Sequence, residues 1–141
     1  MNGFNAERAE NAEDRGVDFN EISARIIGAA VEAHAQPGPG LLESIYDEAL
    51  ALELESRSLA VSRQVEVPLI YKGAPLRHRL RLDLLVADTV IVEVKSVETL
   101  PRIHEAQLLR YLLLADKRPG LLINFNVPKL LGGVHRIVNR L

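Results

Sequence analysis

Asp83, Glu93 and Lys95 interrupt the segment Arg79–Glu98, RLRLDLLVADTVIVEVKSVE, which otherwise consists mainly of aliphatic strand-forming residues. Two carboxylates held close together repel, and one pKa rises unless a cation intervenes. A divalent metal is one remedy and Lys95 alone is another. Hard oxygen ligands of this kind suit Mg²⁺ or Mn²⁺, with water filling most of the remaining positions. Such an ion lowers the pKa of a bound water and stabilises charge on a phosphoryl oxygen. Lys95 would then orient the attacking water or help to deprotonate it.

Whether these groups meet depends on strand register. Leu80, Leu82, Leu84 and Val86 fall on one face of a first strand, and Val90, Val92 and Val94 on one face of a second. A slip of one residue reverses every side chain, so a buried aliphatic face fixes the register. Pairing Val86 with Val90 leaves Ala87-Asp88-Thr89 as the turn and pairs Leu84 with Val92 and Leu82 with Val94. It also places Asp83 opposite Glu93, with Cβ atoms roughly 4.5–5.5 Å apart. Lys95 points to the same side, about 6.5 Å further along. A solvated hairpin face carrying an Asp–Lys–Glu ion network remains the alternative, since charges on an exposed strand face are ordinary. Ile91 and Val97 share that face and suggest partial cover.

The flanking sequence supplies the elements that would position this pair. Asp18 can cap a helix, with Glu21 three residues on. Ile22, Ile26, Ala29, Ala30 and Ala33 keep its apolar stripe, and Pro37-Gly38-Pro39-Gly40 ends it. His34, near that end, reads as a solvent-touching histidine and not a ligand. A second helix follows in LLESIYDEALALELESRSL, with Leu42, Ile45, Ala49 and Leu52 as its buried stripe and Glu43, Tyr46 and Asp47 on another flank. Val61 opens a strand in which Val65, Val67 and Leu69 alternate with polar residues, and Pro68 marks an edge or a bulge. After the hairpin, PRIHEAQLLRYLLLADKRPG reads as a helix with Pro101 in its first turn and Gly120 beyond its end. Leu121–Phe125 is a short buried strand, and VHRIVNRL is a weak last one. The strand–helix–strand run from Val90 to Phe125 predicts a parallel pair.

Composition sets wider limits. A chain of 141 residues suits one domain, read as residues 17–141 behind a polar, mobile N-terminal tail at 1–16. The net charge of −2 argues against a protein held to nucleic acid by bulk charge alone, while leaving room for a local basic patch. There are no cysteines, which excludes disulfides and thiolate metal sites and is compatible with a cytoplasmic setting. No apolar run approaches the ~20 residues of a membrane span, so no membrane partner is expected.

Asp83, nine intervening residues, and then Glu93-Val94-Lys95 resemble the D…ExK core of the PD-(D/E)xK nuclease superfamily, with Leu82 where that core usually has proline. Gly40-Leu41-Leu42-Glu43-Ser44-Ile45-Tyr46 reads G-x-x-E-x-x-Y, and IHEAQLLRYL and GLLINFNVP follow at suitable distances. Together, over roughly residues 20 to 141, they resemble the GxxExxY family within that superfamily. The resemblance implies an α/β, restriction-endonuclease-like fold: a central mixed sheet flanked by helices, with an αβββαβ core and an extra N-terminal helix. It implies that Asp83 and Glu93 hold Mg²⁺ or Mn²⁺, with the Val94 carbonyl as a further ligand. Lys95 would be the catalytic lysine, Glu43 an additional acid, and Gln107 the glutamine of the RecB-like branch.

His104, Gln107 and Tyr111 share one helical face, which by default is simply the wet one. HEAQ lacks the second histidine of a zinc-binding H-E-x-x-H, because Leu108 stands there. Arg79, Arg81, Tyr111 and Tyr46 are the candidate substrate contacts. For Arg79 and Arg81, guanidinium matches phosphate, but balancing the carboxylates is an equal alternative. The implied activity is metal-dependent hydrolysis of nucleic acid, with DNA favoured and a homodimer as one way to span a duplex. The competing expectation is a non-catalytic nucleic-acid-binding or accessory protein that keeps the fold.

Overall fold

The computed structural model describes residues 18–140. The tail assigned to residues 1–16 lies outside them. Asp18 caps α1 (Phe19–Ala35): its Oδ1 accepts from the N–H groups of Asn20 and Glu21 at 3.0 and 3.2 Å. α2 (Glu43–Ser56) follows, then β1 (Val61–Tyr71), β2 (Ala74–Val86) and β3 (Val90–Lys95). α3 (Ile103–Ala115) crosses over to β4 (Pro119–Asn124), and a 3-10 turn at Leu130–Gly133 leads into β5 (Val134–Val138). The sheet order is β1-β2-β3-β4-β5. β3 and β4 are parallel, as the crossover predicts, and every other neighbouring pair is antiparallel. The result is an α/β fold with a mixed five-stranded sheet and flanking helices, consistent with a restriction-endonuclease-like architecture.

Two aliphatic clusters hold the layers together. On one side, Ile26, Ala29 and Ala30 of α1 and Tyr46, Leu50 and Leu54 of α2 pack with Leu84, Val86, Val90, Val92, Val94, Leu121 and Ile123 of the sheet. On the other side, Leu108 and Leu112 of α3 pack with Leu82, Ile91 and Leu122. Each fully buried aliphatic side chain contributes about 1.5–3 kcal/mol. Gly120 makes the second packing possible, because a Cβ there would stand 3.2 Å from both Leu108 and Leu112.

Several expectations need correction. In α2 the buried face is Tyr46, Asp47, Leu50, Ala51 and Leu54, while Leu42, Ile45 and Leu52 are exposed. The apolar spacing was compatible with either face, and the helix instead turns its tyrosine and one acid inward. His34 is buried, and its Nε2–H donates to the Val127 carbonyl at 2.9 Å. Pro101 precedes α3 and does not sit in its first turn. The helix stops at Asp116 in the left-handed conformation, so Gly120 does lie beyond its end, within β4.

The largest correction concerns the hairpin. Its register is the one predicted, with Val86 on Val90 and Leu84 on Val92 across an Ala87–Thr89 turn. Ala87 and Asp88 both have positive φ, and Thr89 N–H closes on the Val86 carbonyl at 3.0 Å. Pairing with β3 then ends at Leu84 and Val92, so the expected Leu82–Val94 pair does not form. β2 continues beside β1 alone, on an edge strand that shifts register between Pro68 and Ile70. Leu84 and Val86 join the first cluster, whereas Leu82 joins the second, although even spacing predicts a common face. Val61 and Val65 on β1 divide the same way, about Gln64, whose φ is +51°. The ribbon therefore turns over at Gln64 and Asp83.

Candidate active site

Asp83 sits where β2 peels away from β3, and the two strands exchange side-chain bonds where ladder bonds would otherwise run. The Asp83 N–H donates to Glu93 Oε2 at 3.0 Å, and the Val94 N–H donates to Asp83 Oδ2 at 2.8 Å. Each acid thus satisfies a backbone donor freed by the divergence, which is the condition for burying such donors at all. The N–H and C=O of a strand residue point to the same side. The Val94 carbonyl therefore also faces the gap that β2 leaves.

Burial makes this pair electrostatically costly. Glu93 is only 7% exposed, and Asp83 is half-buried. The Glu93 carboxyl is pushed up to about 8, first by loss of water and then by the Asp83 charge. Burial likewise pushes Asp83 up; the Val94 N–H pulls it partly back, and Asp47, Lys95 and Glu43 act on it with smaller effects of both signs. A solvated face with a surface ion network is thus not what these residues form. Lys95 is half-buried and pairs with Asn124 across the parallel ladder. Its ammonium makes no ion pair with a described residue, though its charge favours the ionised form of both acids.

Elements from both sides of the sheet reach this point. Glu43 opens α2, and its Oε2 accepts from the Ser96 N–H at 3.4 Å. Ser96 Oγ donates to the Leu41 carbonyl, tying the residue after Lys95 to the loop before α2. Tyr46 holds the other end of that loop. Its hydroxyl donates to the Gly38 carbonyl and accepts from the Leu41 N–H at 3.1 Å, while its ring stacks on Phe125 at 4.7 Å. Gly40, with φ of +101°, supplies the backbone shape that the loop needs. Tyr46 is wholly enclosed, so it is not a substrate contact; it positions the loop that carries Glu43.

From the opposite side, α3 brings Tyr111. Burial pushes its hydroxyl up, and the charges of Glu93 and Asp83 push it further, which places it within their field. Gln107, one turn earlier, is exposed, and its side chain makes no hydrogen bond with a described residue. Beyond Asp83, Arg81 pairs with Glu66 at 3.3 Å, so one of the two arginines already has an acid of its own. Arg79 is exposed and has no acid partner among the described residues.

Two residues at the site were not among the candidates drawn from the sequence. Asp47 lies one turn after Glu43 and is buried; Arg63 on β1 donates to its Oδ1 through Nε at 3.2 Å and through an amino nitrogen at 2.9 Å. Burial pushes its carboxyl up and Arg63 draws it back down. The signal was available, since an acid four residues beyond Glu43 shares its helical flank. Asn124 is the other: its side chain accepts from the Val97 and Asn126 N–H groups, both at 3.1 Å, and donates to the Val97 carbonyl at 2.9 Å. It fastens the chain just after Lys95 to the end of β4.

The matching family model, described as the PD-(D/E)XK nuclease superfamily, covers residues 20–137. The chain belongs to the PD-(D/E)XK nuclease superfamily. No curated protein and no solved structure matches it. Nucleases of this superfamily usually use divalent metals, so the donor set needs testing against one. As placed, no three His, Cys, Asp or Glu side chains among the described residues converge closely enough to hold an ion. Yet Asp83 and Glu93 each commit one oxygen to a backbone N–H, and the second oxygen of each accepts from no described N–H or basic side chain. With the Val94 carbonyl facing the same gap, the set is all oxygen and short of cationic charge, which suits a hard divalent cation. Membership in this superfamily implies nucleic acid as the substrate. No helix among the described residues is long and apolar enough to cross a membrane.

Proposed function

We propose that the protein is a metal-dependent nuclease that hydrolyses phosphodiester bonds, with DNA as the preferred polymer. The observation that carries this reading is the crossed pair of bonds at the strand divergence, Asp83 N–H to Glu93 and Val94 N–H to Asp83, with Lys95 beside it. The G-x-x-E-x-x-Y run from Gly40 to Tyr46 supports a place in the GxxExxY family.

Asp83, Glu93 and the Val94 carbonyl would hold Mg²⁺ or Mn²⁺. When bound, such an ion supplies Lewis acidity toward a phosphoryl oxygen and a more acidic water. Lys95, with no acid partner of its own, is free to take a hydrogen-bonding position toward the attacking water or the phosphate. Glu43 is fixed beside Ser96 and adds negative charge at the mouth of the site. Gln107 and Tyr111 would meet the substrate from α3, and Arg79 and Arg81 would contact phosphates from the ribbon, Arg81 by exchanging Glu66 for phosphate. A second copy of the chain would let the ribbon and cleft span a duplex, in a cytoplasmic setting.

The test is direct. Purified protein is incubated with labelled single-stranded, duplex and branched DNA, and with RNA, in Mg²⁺ or Mn²⁺. Cleavage by the wild type, lost in both Lys95→Ala and Asp83→Ala, is the expected result. Binding that survives both substitutions, with no cleavage under any condition, would instead establish an accessory protein that keeps only the fold.

A further inference from the structure

A cleft of about 480 Å³ opens between the first turn of α1 and the β4–β5 edge, within the roughly 300–1,000 Å³ range of ligand pockets. Arg118, Arg136 and Arg140 line it, with Asp18 as the one acid. None of the three arginines has an ion-pair partner among the described residues, and Oδ1 of Asp18 already accepts from the N–H groups of Asn20 and Glu21. Ser23 also lines the cleft, is 5% exposed, and its hydroxyl makes no hydrogen bond with another described residue. A buried hydroxyl without a partner is uncommon, because burial without a hydrogen bond is costly.

We propose that this cleft is a second, separate binding site that recognises a phosphate group. Sheet register assembles it. Leu121 pairs with Arg136 and Pro119 with Val138, and the Asn139 N–H donates to the Arg118 carbonyl at 2.7 Å. The strand ends bearing Arg118 and Arg140 are thereby fixed side by side before any ligand arrives. Guanidinium groups match phosphate oxygens with paired, charge-assisted hydrogen bonds. Ser23 would supply a neutral donor from the helix side. Because Asp18 already caps the first amides of α1, affinity rests on the arginines and not on the helix end. The cleft lies beside Gly120, opposite Ile91 at the start of β3, whereas Lys95 pairs with Asn124 at the other end. Four residues of strand, about 13 Å, separate the two sites along the sheet.

The full chain, kept metal-free with chelator, is titrated with inorganic phosphate by calorimetry and by amide chemical shifts. Saturable binding is expected, with shifts centred on Phe19, Gly120 and Ile137. The Arg118→Gln/Arg136→Gln variant should bind about tenfold or more weakly, and Ser23→Ala about two- to fivefold more weakly. The Arg118→Lys/Arg136→Lys variant keeps the charge, so it should retain part of the binding if loss in the glutamine variant reflects the site and not the fold. No saturable binding, binding that the glutamine variant keeps in full, or shifts centred on Asp83 and Val94 would overturn the proposal. Competition by an oligonucleotide without a terminal phosphate assigns the ligand as a backbone phosphodiester. Competition only by a 5′-mononucleotide assigns a terminal or free phosphate. The proposal stands or falls apart from cleavage, since no step of this test requires turnover.

Discussion

The two ends of the β2–β3 hairpin are built from the same strands and behave as opposites. Near the turn, Val86, Leu84, Val90 and Val92 pair in strict register and are wholly buried among aliphatic neighbours. One residue further on, the ladder stops, and Asp83 and Glu93 bond to each other's strand through carboxylates. The first end gains stability from packing. The second end carries two acids whose carboxyls burial pushes above the ordinary carboxylate range. Strain of this kind is characteristic of sites where function, and not stability, selects the residues.

That contrast predicts that substitutions at the two ends affect different measurements. The largest effect is expected at the divergent end: Asp83→Asn or Lys95→Ala should lower the cleavage rate by roughly 10²- to 10⁴-fold in single-turnover assays with Mg²⁺. The melting temperature of Asp83→Asn should hold or rise, because a repulsive charge is removed. An equal loss of both activity and stability would erase the distinction between the ends.

At the aliphatic end, Leu84→Ala should cost about 2–5 kcal/mol in denaturant titrations, the range for a leucine removed from a packed core. Protein that remains folded should still cleave.

Proton linkage gives the third prediction. The folded state raises the Glu93 carboxyl from 4.5 to about 8, so it holds that proton more tightly than the unfolded chain does. The resulting stabilisation is complete below the unfolded value and is lost as pH rises through the folded one. Metal-free protein should therefore lose stability between about pH 4.5 and about pH 8, and Glu93→Gln should flatten that slope. Added Mn²⁺ should restore stability at the alkaline end. A slope unchanged in Glu93→Gln would place the titration elsewhere.

The smallest effect concerns support of the site. Tyr46→Phe removes the hydroxyl that holds Gly38 and Leu41 and should cost about 0.5–1.5 kcal/mol per lost hydrogen bond by thermal melts. A modest fall in cleavage should accompany it as the loop before Glu43 loosens.

Much of this protein was readable in the order of its residues. Asp18 capped α1, Pro68 marked an edge strand, and the strand–helix–strand run gave the parallel pair, because each depends on local chemistry or on a short periodic pattern. The buried face of α2 was not readable. Leu42, Ile45 and Leu52 make as good a stripe as Leu50, Ala51 and Leu54, and only the neighbouring layers choose between them. His34 was misjudged for a similar reason: its partner, the Val127 carbonyl, lies 93 residues away. Asp47 was visible beside Glu43, but Arg63 and the burial that give it meaning come from a different element.

By itself the sequence determined the hairpin register, since an alternating aliphatic pattern tolerates only one alignment of two strands with a buried face. It therefore brought Asp83 and Glu93 to neighbouring positions. Tertiary structure alone decided that β2 would part from β3 at Asp83, because the reversal at Gln64 and Asp83 directs Leu84 into one cluster and Leu82 into the other. Periodicity encodes which side chains share a face for as long as the strand stays regular; where two separate cores compete for the same strand, the packing of both sets the break.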